Sequence, residues 1–324
     1  MVALPRSGRI LALPFLLAAC GLEDGQQTTP PHPTIVSLNP CTDAIVAEVS
    51  SPQQVLALSH YSRDPAASSM DVRRAREFGV TGGTVEEILA LDPDIVVAND
   101  FMPPATRAAL DDLGVRVETF GIASDVETSL AQVRELSALA GRNEAGEALA
   151  ARIAAAVRAF DMGESVSAVL WQPGGIVPGE GALVSELMER AGLTSHSAAR
   201  GMVQADYLSL ERLLADPPDL LLVAGNERGQ SHPALEALPE MRVERFDPAL
   251  LYCGGPTIIR AMERLRELRG GFSTSARPAV SATARDERVL FCENTNKTVR
   301  LERRIEQPQS GVPRAAVALR AVFD

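Results

Sequence analysis

The chain of 324 residues is 46% hydrophobic and 23% charged, enough apolar material for two buried cores, so two lobes of ordinary domain size are expected. Its net charge of −11 opposes nucleic-acid phosphates and argues against a nucleic-acid partner. Beside Cys20 only Cys41, Cys253 and Cys292 occur, an odd set that excludes a disulfide framework while leaving room for one bridge.

Arg6 and Arg9 precede an apolar stretch from Ile10 to Ala19, too short to span a bilayer as a mature helix and of the length of a secretory signal. It ends in Leu17-Ala18-Ala19-Cys20, which resembles the bacterial lipobox, and that resemblance implies removal of residues 1–19 and lipidation of Cys20. An ordinary cleaved signal followed by an unrelated cysteine is the alternative. Residues 20–33 are polar and Pro-rich, have nothing to bury, and read as a flexible tether. No later segment is long and apolar enough to cross a membrane.

In the body, apolar runs rich in β-formers alternate with amphipathic patterns, which predicts parallel sheet with crossover helices. Strands are expected at Thr34–Leu38, Gln54–Ser59, Asp94–Ala98 and Arg116–Phe120, and helices near Thr42–Val49, Val85–Leu91 and Pro104–Leu113. These make an N-terminal lobe over residues 34–140. Val126–Ala140 and Glu144–Phe160 then carry apolar residues at helical spacing with no strand between them, and Asn143 is placed to cap the second. Residues 141–162 are read as a connecting helix, a strut that bends less readily than several crossing strands.

A C-terminal lobe, residues 163–272, is expected to begin with a strand at Ser165–Trp171. A helix at Leu183–Ala191, strands at Leu220–Ala224 and Arg242–Phe246, and a final helix at Thr257–Leu268 follow. Leu210–Asn226 repeats the pattern of Val85–Asn99, with Glu211 on Glu86, Leu213 on Ile88, Pro218 on Pro93 and Asp219 on Asp94. Such a repeat implies duplicated architecture, and two similar lobes in one chain leave a cleft between them.

Taken together, SLNPCTD (Ser37–Asp43), SHYSRDP (Ser59–Pro65), VEEILALDPDIVV (Val85–Val97), LSLERLLADPPDLLLV (Leu208–Val223) and YCGGPTIIRAMERL (Tyr252–Leu265) resemble a known family. It is the helical-backbone solute-binding proteins of ABC importers, those with the iron-complex and cobalamin periplasmic-binding domain. The resemblance covers Thr34 to Arg269. It implies an α/β fold of two Rossmann-like lobes with parallel-rich sheets joined by a long backbone helix, a ligand cleft between them, and no catalytic turnover or cofactor. It also implies a monomer in the periplasm that serves an ABC permease dimer in the inner membrane, tethered by its lipid. In the family a surface Glu on each lobe docks on basic permease residues, and Glu86 and Glu211 stand at the matching positions. The alternative is that both merely occupy solvated first turns, where the helix dipole favours a carboxylate.

Ligand contacts are sought at the carboxyl ends of the strands. These ends offer Cys41, Tyr61 and Phe101 from the first lobe and Trp171, Tyr252 and Cys253 from the second. Tyr61 falls where the resembling cobalamin binder places a tyrosine on its ligand. Aromatic side chains suit a broad flat ligand because each buries much area with few rotors to freeze; Trp171 and Tyr252 equally suit a capping role over the core. Cys41 and Cys253, each after a strand of its own lobe, are placed to face one another across the cleft as soft-metal ligands, as a bridge that staples the lobes, or as small buried packers.

A directly bound metal is not expected, because His32, His60, His196 and His232 show no ligand spacing. An anionic ferric siderophore calls for converging cations, and Arg63, Arg107 and Arg228 are scattered in the sequence, which tilts the ligand toward a corrinoid or another metal chelate while leaving heme and a ferric siderophore open. The rival readings are an exported sensor lipoprotein, or a thiol-dependent enzyme with Cys41 and His60 as nucleophile and base. Residues 273–324 fall outside the family pattern. They alternate as a hairpin would at Arg288–Phe291 and Thr298–Leu301, but a lone hairpin is marginal, so a disordered or loosely docked tail is expected.

Overall fold

The structure is a computed structural model that describes residues 32–158, 164–272, 289–291, 298–304 and 318–323. The signal segment, Cys20, most of the tether and Cys292 lie outside the described residues. So does the end of the expected connecting helix. The chain divides into two units, Met1–Phe272 and Ser273–Asp324.

The first lobe runs β1 (Ile35–Ser37), α1 (Pro40–Val49), β2 (Val55–Ser59), α2 (Val72–Ala75), β3 (Val80–Thr81), α3 (Val85–Leu91), β4 (Ile95–Asn99), α4 (Pro104–Asp112) and β5 (Val117–Phe120). Its five strands are parallel in the order β3-β2-β1-β4-β5. Helices α5 (Val126–Leu139) and α6 (Asn143–Ala156) follow. Asn143 stands inside the first turn of α6; the residue at the cap is Arg142, whose side chain makes no capping bond.

The second lobe runs β6 (Val166–Trp171), β7 (Ile176–Val177), α7 (Leu183–Arg190), β8 (Leu193–Ser195), β9 (Asp206–Tyr207), α8 (Leu210–Ala215), β10 (Leu220–Val223), α9 (Pro233–Glu236), β11 (Arg242–Arg245) and α10 (Thr257–Gly270). Its four-stranded sheet has the order β11-β10-β6-β8, again parallel. Read from the other edge, β8-β6-β10-β11 reproduces β2-β1-β4-β5, so the sequence repeat is a repeat of topology. The duplicated Pro-Asp has one structural task in both copies. Asp94 Oδ2 accepts from the Thr34 amide at 2.7 Å, and Asp219 Oδ2 accepts from the Ser167 amide at 3.0 Å. Each carboxylate thereby pins a central strand to its neighbour.

Alternation along each strand sorts the core. Ile35, Ile95 and Val97 face a cluster that also receives Ala168, Leu170, Leu220 and Leu222 from the second sheet. Their neighbours Val36 and Val96 face a separate cluster with Ile88 of α3 and Leu110 of α4, while Val169, Trp171, Leu221 and Val223 face a third with Leu213 of α8. Both faces of each sheet are covered, as parallel strands require. The inner faces share one continuous core through α1, α5, α6, α7 and α10. Contact between the lobes is therefore not confined to a single strut: a helical layer is common to both, and any relative motion of the sheets must shear close-packed side chains.

In the second unit, β12 (Val289–Phe291), β13 (Thr298–Arg304) and β14 (Ala318–Phe323) form an antiparallel sheet in the order β12-β13-β14. β12 and β13, with Val289 opposite Arg300, pair where the sequence alternates, although a disordered or loosely docked tail was the expectation there; β14 was not expected.

Candidate functional site

A cavity of about 460 Å³ lies at the carboxyl ends of β1, β4 and β5, between them and the loop that precedes α10. The first lobe gives it Asn39, Pro40, Cys41, Thr42 and Ile45 from the start of α1, then Ala66, Ala67 and Ser69, then Asn99 and Phe101, Phe120 to Ala123, and Gln132. Pro248, Ala249, Tyr252, Cys253 and Gly254 close it from the second lobe. Asn39 fixes the α1 edge: its Oδ1 accepts from the amides of Cys41 at 2.9 Å and Thr42 at 3.2 Å, and Pro40 starts the helix with no amide to satisfy. Among the described residues no ionised side chain is in the lining. Phe101 is 73% exposed and Tyr252 62% exposed, and the Tyr252 hydroxyl donates to Gln172 Oε1 at 2.7 Å. Partial burial raises the pKa of that hydroxyl.

Cys41 and Cys253 are bonded as a disulfide with Cα atoms 5.0 Å apart. Both sulfurs are at the cavity wall, but a bonded pair has no thiolate to offer a soft metal, and a Cys41–His60 nucleophile is likewise removed. The bridge crosses from one lobe to the other at the cavity floor. There the second lobe's loop already presses on the first: the Gly255 amide donates to Ser129 Oγ at 2.7 Å and the Thr257 hydroxyl to the Ser69 carbonyl at 3.0 Å.

Two glycines make the approach. A Cβ at Gly254 would stand 2.4 Å from Ser129 Oγ; one at Gly255, where φ is +63°, would stand 2.7 Å from Ile45 Cγ1. Gly255→Ala combines left-handed backbone with overpacking and should destabilise the chain by roughly 2 kcal/mol in urea unfolding. A change below about 0.5 kcal/mol would mean that this loop does not bear on α1.

Beneath the floor, Asp43 is fully buried. Its Oδ2 accepts from the Ser59 amide at 3.1 Å, the Ser59 hydroxyl at 2.5 Å and the Ser62 hydroxyl at 2.6 Å, while Oδ1 has no partner among the described residues. Burial pushes this carboxyl up to about 7 against the pull of those hydrogen bonds. It ties α1 to the end of β2 and to the helical turn His60–Arg63, just ahead of the wall residues Ala66, Ala67 and Ser69.

Of the six expected contact residues, Cys41, Phe101, Tyr252 and Cys253 line the cavity, and Tyr61 and Trp171 do not. Tyr61 follows β2, on the opposite side of β1 from β4 and β5, and its ring lies 4.0 Å from that of His60. Trp171 is 4% exposed, turned into the outer core of the second lobe, with Nε1 donating to the Leu208 carbonyl at 2.9 Å. Arg63 donates to the Phe78 carbonyl and Arg107 pairs with Asp111. Phe120, Ile122 and Ile45 were missed, although the strand-end rule applied to Arg116–Phe120 reaches the first two. Among the described residues no three His, Cys, Asp or Glu side chains gather as a metal site.

Glu86 and Glu211 occupy the second residue of α3 and α8, after the capping hydroxyls of Thr84 and Ser209. Both are exposed, and neither has an ion pair among the described residues. The neighbouring Glu87 differs: its Oε2 is engaged by the Gly82 amide at 2.6 Å and the Thr81 hydroxyl at 2.7 Å. Because crossover helices run opposite to parallel strands, the starts of α3 and α8 lie toward the strands' carboxyl ends, the side of the cavity.

The family model for periplasmic binding proteins matches residues 35–241. No curated protein matches the chain by sequence. Among solved structures, the periplasmic heme-binding protein RhuT from Roseiflexus sp. RS-1 is 22% identical with a TM-score of 0.57, over 74% of this chain and 97% of its own. The periplasmic vitamin B12 binding protein BtuF of Vibrio cholerae is 18% identical, TM-score 0.55, over 76% and 99%. The periplasmic heme binding protein HutB of Vibrio cholerae is 16% identical, TM-score 0.59, over 73% and 98%. These likenesses show a shared fold. The family match runs over most of the paired lobes, and the chain belongs to the periplasmic binding protein family, a family of binding proteins rather than enzymes.

Proposed function

We propose that the protein is the lipid-anchored, periplasmic substrate-binding component of an ABC importer, and that it captures a metal chelate of the tetrapyrrole kind, a corrinoid or heme. The observation that carries this reading is the wall of the cavity: Phe101, Phe120, Ile122, Tyr252 and the disulfide, with no ionised side chain among the described residues. An anionic ferric siderophore would lose its water there with nothing to replace it, whereas a broad apolar face gains from every ring it covers. The names of RhuT, HutB and BtuF, which bind heme or vitamin B12, agree with that chemistry. Equilibrium dialysis against cobalamin, cobinamide, heme and ferric siderophores tests it. Saturable binding of one tetrapyrrole is expected, and retention of a siderophore instead would overturn the ligand class.

Delivery rests on Glu86 and Glu211. Two exposed, unpaired carboxylates on the cavity side of the two lobes suit a permease dimer whose basic residues must be reached by both at once, since such attractions are short-ranged in salt. Glu86→Arg with Glu211→Arg should leave ligand affinity unchanged and reduce uptake in cells at least tenfold. Unchanged uptake would favour a sensor lipoprotein that feeds no transporter.

A further inference from the structure

We infer that the Cys41–Cys253 bridge is a thiol-exchange site in the cavity wall, opened by a small thiol that attacks Cys41 and expels Cys253. The two sulfurs differ in what surrounds them. Cys253 is 5% exposed and its Sγ takes a hydrogen bond from the Ser69 hydroxyl at 2.7 Å. Both line the cavity, but Cys41 is less deeply buried and lies at the second position of the ten-residue helix α1. A donor aimed at a sulfur lowers the pKa of the thiolate it becomes, and a thiol of lower pKa leaves faster. The start of a helix likewise favours a thiolate on Cys41. Both products of reduction are thus stabilised, which is the arrangement of an exchangeable bridge rather than an inert staple.

The step balances without an outside oxidant. A thiolate RS⁻ bonds to Cys41 Sγ; the Sγ–Sγ bond breaks and its electron pair leaves on Cys253, which the Ser69 hydroxyl receives. A second RS⁻ attacks the RS sulfur of the mixed disulfide, releasing RSSR and the Cys41 thiolate. Two thiols are oxidised and one disulfide is reduced.

Ser69 does not depend on the bridge for its position. Its carbonyl accepts from the Thr257 hydroxyl at 3.0 Å and from Arg260 Nη1 at 3.3 Å, so it stays against Cys253 when the bond opens. What is lost is the covalent tie between α1 and the loop that supplies Pro248, Ala249 and Tyr252 to the cavity. Reduction therefore loosens one wall of the cavity. The consequence for ligand release rests on the binding role proposed above; the exchange chemistry does not.

The test needs no ligand. In a chain carrying Cys20→Ser and Cys292→Ser, the bridge is challenged with reduced and oxidised glutathione under native conditions. Peptide mass spectrometry locates the adduct, and hydrogen exchange follows residues 248–257. The expected result is reversible opening, glutathione on Cys41, faster exchange in 248–257 with the Leu220–Val223 strand unchanged, and opening slowed about tenfold by Ser69→Ala. A bridge that opens only in denaturant, an adduct on Cys253, or exchange indifferent to reduction would each overturn the inference.

Discussion

The stability advantage of the wild-type chain over Asp43→Asn should shrink as pH rises from about 4 to about 7. The folded carboxyl titrates near 7 because it is buried, against a reference value of 3.8. Across that window the folded chain holds a proton that the unfolded chain has released, so unfolding releases it and stability falls as pH rises. Below the reference value both states are protonated and the group contributes no slope; above 7 both are ionised and the loss is complete. The full excursion is on the order of 4 kcal/mol. One end of the amide introduced by the substitution would take the place of Oδ1, which has no hydrogen-bond partner among the described residues, a cost that does not vary with pH. His196 acts in the opposite sense: burial drives its pKa down to about 4, so its contribution is lost as pH falls below its ordinary value of 6.5. The two slopes oppose one another in wild type, and only the difference between wild type and Asp43→Asn isolates the carboxyl. Urea unfolding of both at half-unit intervals from pH 4 to pH 8 measures it. A pH-independent difference would show that Asp43 ionises normally and that its burial is relieved in solution.

The lobes were legible because two strong regularities coincide in this sequence. Strands buried on both faces, such as Ile95–Asn99 and Leu220–Val223, read as unbroken apolar runs, and the Pro-Asp ahead of each announces a carboxylate that tethers it to the next strand. Elements of two or three residues, β3, β7, β8 and β9, carry no periodicity to detect. The cavity was legible only in part, since the strand-end rule names residues and says nothing of the side to which each points. That rule brought in Phe101 and Cys41, and equally Tyr61 and Trp171. Parity along β6 puts Trp171 with Val169, away from Leu170 and the shared inner core, but with apolar residues on both faces the sequence carries no sign of which parity faces inward. The fate of Cys41 and Cys253 depended on how closely the Gly254-Gly255 loop approaches α1, a tertiary contact without a local signature.

Trp171→Ala should be the most destabilising single truncation in the second lobe while leaving the cavity's own wall in place. The indole fills the outer core with Val169, Val177, Met202, Leu208 and Leu213, and its removal leaves a hole that β6, paired at Trp171 with Val223 of β10, cannot collapse to fill. Truncations of this kind cost about 3–5 kcal/mol, and the Leu208 carbonyl also loses its donor. Phenylalanine would restore most of the volume without the hydrogen bond, so Trp171→Phe should recover the larger part of the loss. Emission reports the same placement: a ring 4% exposed in an apolar core should fluoresce at short wavelength and resist acrylamide and iodide in the native state. Quenching on unfolding, with none on native titration by iodide, is the expected pair of observations. Native quenching by iodide would place the indole at the cleft after all.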